Sequence, residues 1–527
     1  MAVATTIAAA DTERTYRRKI LAWSFYDWAD HAFITSTSST FFPPYFIAIA
    51  APAFLEAGKA ASAPAAQALA RDNASNIYAI AVSIALFLAA LLAPIIGTFA
   101  DITGTRKRLL VTITIIGGVI ASLMFTLVTG MWLLGLLLFM GAQVALNVAL
   151  GLNSSLLPHI TRPDDLDRAS SLGYAMGYFG GGVLLAVNTA LYLFADKLGI
   201  EPGTAVRIAF LLVGLWWIAF TLPVALNVPE PPATPLAHGS TGKPAIDAFK
   251  RLRNTLRDLQ NYRELFKMLI AFWLYSEGIG AIILLATAYG AALGLTTSAL
   301  ITTLLMTQFV AFPFALIYGR IPDQNSRWRS AYVSMLIWTA CTMPLLGLYA
   351  NQNGNVGIGL TFGLIAADQI LGILFSIFIG RRVFARFTEQ LTPQRAIILG
   401  LAIYTIIPIW GFFLKTQAEF FMIGWLVATV QGGTQALSRA IYAKLSPRAK
   451  SGEFFGLYGL SEKFAGLLGP LLYGIVGTLT HTPQASVLSV SVFFLIGIYA
   501  LSRVDVTRGT EIASAEDAAI VGAHVAD

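Results

Sequence analysis

At 527 residues, with 56% apolar and only 12% charged side chains and a mean hydropathy of +0.70, the chain departs far from soluble composition and reads as an integral membrane protein. A formal charge of +7 would suggest a nucleic-acid partner in a soluble protein, but long apolar runs recur throughout, so the basic residues answer first to the membrane's own charge rule and no nucleic acid is expected. A single cysteine, Cys341, excludes an internal disulfide.

The first apolar run, 20–49, follows the basic stretch "RTYRRK" and is too long and too polar for a cleavable leader, so it is expected to remain as a span. Further runs lie near 75–100, 109–129, 131–156, 169–195 and 205–227. A second group lies near 264–292, 297–318, 330–350, 356–380, 394–414, 417–440, 453–478 and 484–502. Each run is long enough for a helix, and none has the ~10-residue alternation of a membrane barrel. The expectation is an all-α polytopic membrane protein with about 14 transmembrane helices.

Counting Lys and Arg between these runs puts 29 on one side and five on the other, with Lys463 inside a span. That asymmetry places both termini in the cytoplasm. Residues 1–19 then form a cytoplasmic segment, 20–227 a first bundle, 228–263 a cytoplasmic linker, 264–503 a second bundle and 504–527 a flexible cytoplasmic tail. In the linker, "VPEPPATPLAHGSTGK" is Pro-rich. After it, Ile246, Phe249, Leu252, Leu256 and Leu259 share one helical face, with Lys250, Arg251, Arg253 and Arg257 on the others. This predicts a basic amphipathic helix lying on the anionic inner leaflet. "GSTGK" has too short a spacing for a phosphate loop, no following Ser/Thr and no preceding strand, so ATP-driven transport lacks support and no cofactor is expected.

Two turns look alike. "GTFADITGTRKR" holds Gly97, Asp101, Gly104, Arg106 and Lys107, and "GRIPDQNSRWR" holds Gly319, Asp323, Arg327 and Arg329. Glycine lets neighbouring helices approach, while Asp can pair with Arg or cap a helix N-terminus, so both turns are expected to gate movement. A second correspondence joins "SSLGYAMGYFGGG" (170–182) to "EFFGLYGLSEKFAGLLG" (453–469). Internal repeats of this kind mark secondary transporters, with the substrate site near mid-membrane.

The first turn resembles the signature between helices two and three of the major facilitator superfamily. "YDWADHAF" is similar to the YDWANSAF opening of the superfamily's autophagy-22-like, or UMF1, branch. "TQFVAFP", "QGGTQALSRAIYAKLSP" and "EFFGLYGLSEKFAGLLGPLLYG" resemble its later signatures. The resemblance implies two pseudo-symmetric six-helix bundles working by alternating access, with an extra helix pair at 330–380. It also implies a secondary transporter rather than an enzyme, exporting small amino-acid-like solutes. A monomer in a bacterial inner membrane is expected.

The chain departs from that opening where Asn and Ser become Asp30 and His31. Asp27, Asp30 and His31, at i, i+3 and i+4, share one face of the first helix, followed by the hydroxyls of "TSTSST". A charge at the centre of a membrane helix costs roughly 2.5–3.5 kcal/mol, so such residues face a partner or a watery cavity. A carboxylate beside an imidazole that titrates near neutrality can exchange protons between two access states. Glu277 in "WLYSEGIG" answers this cluster in the second half, and Glu462 and Lys463 interrupt a later span. Lys463 is expected to pair with Asp27, Asp30 or Glu277 during switching. Tyr26, Trp28, Tyr174, Gln431, Gln435 and Tyr458 are expected to line the cavity, with Arg439 an inner-surface anchor. No metal-ligand or nucleophile signature appears, so no metal, cofactor or catalysis is expected. A carrier of a small polar solute, coupled to protons, is the leading reading; the competing one is a non-transporting sensor that binds a solute and signals through its linker.

Overall fold

The computed structural model describes residues 12–55, 64–234, 244–257, 259–324, 326–352, 356–464 and 468–526, and among these every regular element is helical. The order is α1 (Glu13–Ala32), a π-helix (Phe33–Phe41), α2 (Phe42–Ala50), α3 (Pro64–Thr103), α4 (Arg106–Leu123), α5 (Trp132–Ile160), α6 (Leu166–Leu193) and α7 (Pro202–Asn227). The linker helix α8 (Pro244–Arg257) precedes α9 (Arg263–Ala292), α10 (Thr297–Tyr318), α11 (Arg329–Gln352), α12 (Ile358–Phe375), α13 (Pro393–Phe413) and α14 (Gln417–Leu445). The chain ends in α15 (Ser451–Phe464), α16 (Leu468–Thr480), α17 (Pro483–Ser489), α18 (Ser491–Ser502) and α19 (Val506–Ala526).

Eleven helices among the described residues are long and apolar enough to cross a bilayer, against about 14 expected. The three runs that fall short are 20–49, 417–440 and 453–478. They carry Asp27, Asp30 and His31; Gln431, Gln435 and Arg439; and Glu462 and Lys463. Polar side chains lower the apolar content of the first two, and the first passes from α1 through nine residues of π-helix into α2. The third runs over residues 465–467, which lie outside the described residues.

Helix ends follow local chemistry. Thr12 accepts from the Thr15 amide at the start of α1, and Thr392 accepts from Arg395 at the start of α13. At α14, the Thr416 hydroxyl accepts from the Glu419 amide while the Glu419 carboxylate accepts from the Thr416 amide at 2.9 Å, a reciprocal capping box.

The chain divides into two compact units. Unit 1 comprises residues 1–160, 179–257 and 449–460, and unit 2 comprises 161–178, 258–448 and 461–527. In unit 1, α4 packs between α5 and α7, α3 lies along α5, and α1 lies along α7. Its core is aromatic: Phe42 stacks on Phe139 at 4.4 Å, and the fully buried Trp217 meets Phe33 at 5.6 Å.

In unit 2, α14 is the central element, packed by α10, α13 and α11, while α9 lies on α18. The helix pair α11 and α12 is joined by a polar knot. Trp338 and Thr342 donate to the Asp368 carboxylate at 3.2 Å each, and Gln369 donates to it at 2.9 Å. A buried carboxylate with three donors is a fastening, since lipid would leave it unsatisfied.

The flexible tail expected at 504–527 is instead the helix α19. The Glu264 carboxylate accepts from the Asp505 amide at 2.8 Å, Tyr262 donates to Glu516 at 2.7 Å, and Asp517 accepts from the Arg448 amide at 2.9 Å. The small polar composition that suggests mobility also supplies Gly509 and Ala513, which let α19 lie close to α9 and α14.

Thr416→Ala removes the capping hydroxyl of α14. It should cost about 1 kcal/mol, read as a small fall in melting temperature of the detergent-solubilised protein. An unchanged melt would mean the cap adds nothing to what packing supplies.

Candidate functional site

The first-helix cluster lies within unit 1. Trp23 donates its indole N–H to the Asn153 carbonyl at 2.8 Å, and the Asn153 side-chain amide donates to Asp27 at 3.0 Å, so α1 and α5 are tied by two reciprocal bonds. Asp27 is buried against α5. One turn on, Asp30 Oδ1 lies 2.7 Å from His31 Nδ1, with the Asp30 side chain fully buried and 14% of the His31 side chain exposed. The imidazole is thus the accessible member and Asp30 stands behind it.

Next to the pair, the π-helix buries the hydroxyls of Thr35, Ser36 and Thr37 and leaves Ser39 exposed. Thr35 donates to the carbonyls of His31 and Gly181, Ser38 donates to Gln143 at 3.4 Å, and Thr40 donates to the Thr35 carbonyl at 2.7 Å. Gly180 and Gly181 make this approach possible, because a Cβ at Gly180 would fall 2.7 Å from the Trp28 carbonyl and one at Gly181 3.1 Å from the His31 carbonyl.

The Asp101 turn forms a second centre in unit 1. Arg106 donates to Asp101 Oδ1 at 2.6 Å with both side chains fully buried. The same carboxylate accepts from the Gly452 amide at 2.9 Å and the Glu453 amide at 3.0 Å, the first turn of α15, where the helix's free N–H groups favour an anion. Backbone meets backbone there: a Cβ on Gly97 would lie 2.0 Å from the Gly452 carbonyl oxygen. His159 Nε2 is 3.0 Å from the Ser451 hydroxyl at the same helix start.

The linker is part of this centre. Glu230 accepts from the Lys107 and Arg108 amides at 2.7 and 3.0 Å, capping α4, and the Thr234 amide donates to the Asp101 carbonyl at 2.7 Å. From α8, Arg251 reaches to 3.3 Å from the buried Glu453 carboxylate and donates to the Ala449 carbonyl at 3.2 Å. One face of this amphipathic helix is therefore docked on protein, through Asp247, Ala248, Arg251, Leu252 and Thr255. Arg251, expected on the outward side, points inward.

Unit 2 carries a polar seam between the first half of α6 and α14. Lys444 pairs with Asp167 at 2.9 Å, and Arg439 donates to the Ser170 hydroxyl and carbonyl at 2.9 Å each. The Arg439 guanidinium also lies 4.4 Å from the centre of the Tyr174 ring, and Tyr178 donates to Gln435 at 2.9 Å. Arg439 is thus buried in a helix contact rather than anchored at a surface.

The family model described as "Vacuole effluxer Atg22 like" matches residues 15–366 and 360–514. The chain belongs to the Atg22-like family. This Atg22-like protein is 27% identical over 500 residues to the MFS-type transporter YxiO of Bacillus subtilis, covering 94% of this chain and 97% of that one. It is 24% identical over 324 residues to autophagy-related protein 22-2 of Aspergillus clavatus, covering 59% of this chain and 43% of the fungal protein. Among solved structures it is similar to the E. coli fucose:proton symporter FucP, with a TM-score of 0.55 and 12% identity over 93% of this chain and 99% of that one. The Atg22-like chain is a membrane transporter of the major facilitator superfamily.

Other expected site residues of the Atg22-like chain are placed differently. Glu277 is buried in unit 2, accepting from the Trp273 indole at 3.2 Å and from the Gly469 amide at 2.9 Å, so it caps the start of α16. The side chains of Glu462 and Lys463, and so any Lys463 pairing, lie outside the described residues. Tyr26 is fully buried, its hydroxyl 3.1 Å from that of Thr114. Trp28 packs in a stack with Trp216 at 5.9 Å, and Tyr458 is buried beside Phe455. Gln431 is half-buried on α14. In the second turn, Arg327 lies over the Trp328 ring and the Ser326 amide donates to the Asp323 carbonyl. Gly104 adopts a positive φ of 63° that closes the first turn against Ala233.

The residues missed from sequence are partners: Asn153, Glu230, Thr234, Arg251, Glu453, Asp167 and Ser170. Asn153 had a signal, since "NSS" interrupts an apolar run. Asp101→Asn leaves Arg106 buried without its counter-charge and should cost about 3–5 kcal/mol. Adding Arg106→Gln should recover much of that loss, measured by thermal unfolding in detergent. Equal destabilisation in single and double variants would show that the amide contacts, not the ion pair, carry the energy.

Proposed function

We propose that this transporter exports a small, polar, zwitterionic solute in exchange for protons, with Asp30 and His31 as the coupling pair and Asp27 as the anchor of the helix that bears them. The observation that carries this reading is the 2.7 Å Asp30–His31 contact, in which a fully buried carboxylate backs a partly exposed imidazole on the first helix. His31 takes a proton at its other ring nitrogen and Asp30 stabilises the imidazolium. When access changes sides, the proton leaves the same atom. The hydroxyl-bearing π-helix next to the pair offers donors and acceptors suited to the ammonium and carboxylate of an amino-acid-like solute. The export direction rests on the effluxer description of the family.

The Asp101 centre supplies the second part of such a cycle. Its carboxylate holds the start of α15 through two amides, and releasing them is the local change by which one access state gives way to the other.

With one proton exchanged per solute, inverted vesicles one pH unit more acidic inside should accumulate the solute about tenfold, since one unit is worth 1.36 kcal/mol. Asp30→Asn should bring that ratio to one while retaining solute exchange at equal pH. Asp27→Asn should keep accumulation and lower thermal stability instead. Accumulation unchanged by Asp30→Asn would remove the coupling role. If no solute of a zwitterionic panel is moved while the folded protein still binds one, the carrier reading itself fails.

A further inference from the structure

The linker helix α8 has two faces, and only one of them is accounted for by the Asp101 centre. Its inner face carries Arg251 to Glu453 and Ala449, with Ala248, Leu252 and Thr255 buried beside it. Its outer face presents Ile246, 45% exposed, and Phe249, 59% exposed, with the ammonium of Lys250 and the guanidinium of Arg253 exposed on the same side. At 100° per residue these four positions fall within about a third of the helix circumference. Two large apolar side chains flanked by two cations, on a helix that docks against α3, which is long and apolar enough to cross a bilayer, form a surface of mixed apolar and positive character.

We propose that this outer face binds anionic phospholipids of the adjoining leaflet, Ile246 and Phe249 entering the acyl boundary and Lys250 and Arg253 meeting the phosphates. Charge complementarity argues for this occupant. The segments on this side hold 29 of the 35 Lys and Arg residues, which by the positive-inside rule is the side facing the anionic leaflet. Through Arg251, the lipid contact reaches the first turn of α15, where Glu453 and Gly452 meet Asp101. The lipid surface thus bears on the helix start that Asp101 holds. This inference is independent of the solute carried and of the coupling pair.

Each basic residue at an anionic surface is worth about 1 kcal/mol, roughly a fivefold change in partitioning, so the pair supplies roughly twenty-five-fold. The test is hydrogen–deuterium exchange across 244–257 in the full-length protein. It compares nanodiscs of phosphatidylcholine alone with nanodiscs containing about one-third phosphatidylglycerol. Exchange should be slower by about that factor in the anionic discs, and the difference should vanish in K250E/R253E and at about 1 M salt. Ile246→Ser with Phe249→Ser should shrink it as well, each variant being first checked for a native melt. Arg251→Ala, on the docked face, should speed exchange in both lipids while keeping their difference. Equal exchange in the two lipids would overturn the proposal, as would a lipid difference that survives K250E/R253E. Protection that appears only in discs holding two copies would also overturn it, assigning the face to a second chain.

Discussion

Much of unit 1 depends on a single carboxylate. Asp101 is buried and bound on both oxygens: Arg106 neutralises its charge at Oδ1, and the amides of Gly452 and Glu453 donate to Oδ1 and Oδ2. An ion pair so deeply buried owes little to Coulomb attraction alone, because desolvation offsets most of it. The added amide donors are what favour the buried charge. They recruit distant parts of the chain: α3 and α4 supply the pair, α15 supplies its N-terminus, and the linker supplies Thr234 to the Asp101 carbonyl and Glu230 to the exposed end of α4. The first residues of the Pro-rich segment, 228–234, are thereby held by hydrogen bonds to their neighbours.

The apolar spans were legible in the sequence because each need only be long and greasy to cross a bilayer, and the family was legible because its signature residues lie in the helices that must also be polar. Partners were not. That Asp27 would find Asn153, or Glu277 the amide of Gly469, depends on which helices become neighbours, and hydropathy says nothing of that. The linker helix shows the same limit. Apolar periodicity put Leu252 on one face with Ile246 and Phe249, but Arg251 finds Glu453, which turns Leu252 to protein and leaves Ile246 and Phe249 exposed. The tail was misread because its low hydrophobicity suits either disorder or a helix held by a few polar contacts, and Glu264, Tyr262 and the Arg448 amide decide for the helix.

Lipid sets a different balance from water. Packing between spans gains no hydrophobic energy over lipid contact, so close approach of small residues and satisfied polar groups decide which helices meet. Unit 1 uses glycine contact at Gly97 and Gly452, while unit 2 uses the seam of Asp167, Ser170, Tyr174 and Tyr178 against Lys444, Arg439 and Gln435. At Asp101 and at Asp167 and Ser170 the chemistry is the same, a cation or amide from a later helix meeting an oxygen from an earlier one, while Tyr178 donates the other way to Gln435.

The nine-residue π-helix at Phe33–Phe41 gives the first helical run a property that only the shorter π-turn Ser376–Gly380 shares among the described residues. Wound with i to i+5 bonds, it stores more residues per unit length than the α-helices on either side. It therefore acts as slack in an otherwise inextensible rod. Letting out that slack lengthens the span and rotates α2 against α1 without unwinding either, so the Asp30–His31 pair can keep its place on α1 while the hydroxyls below it change the direction they face.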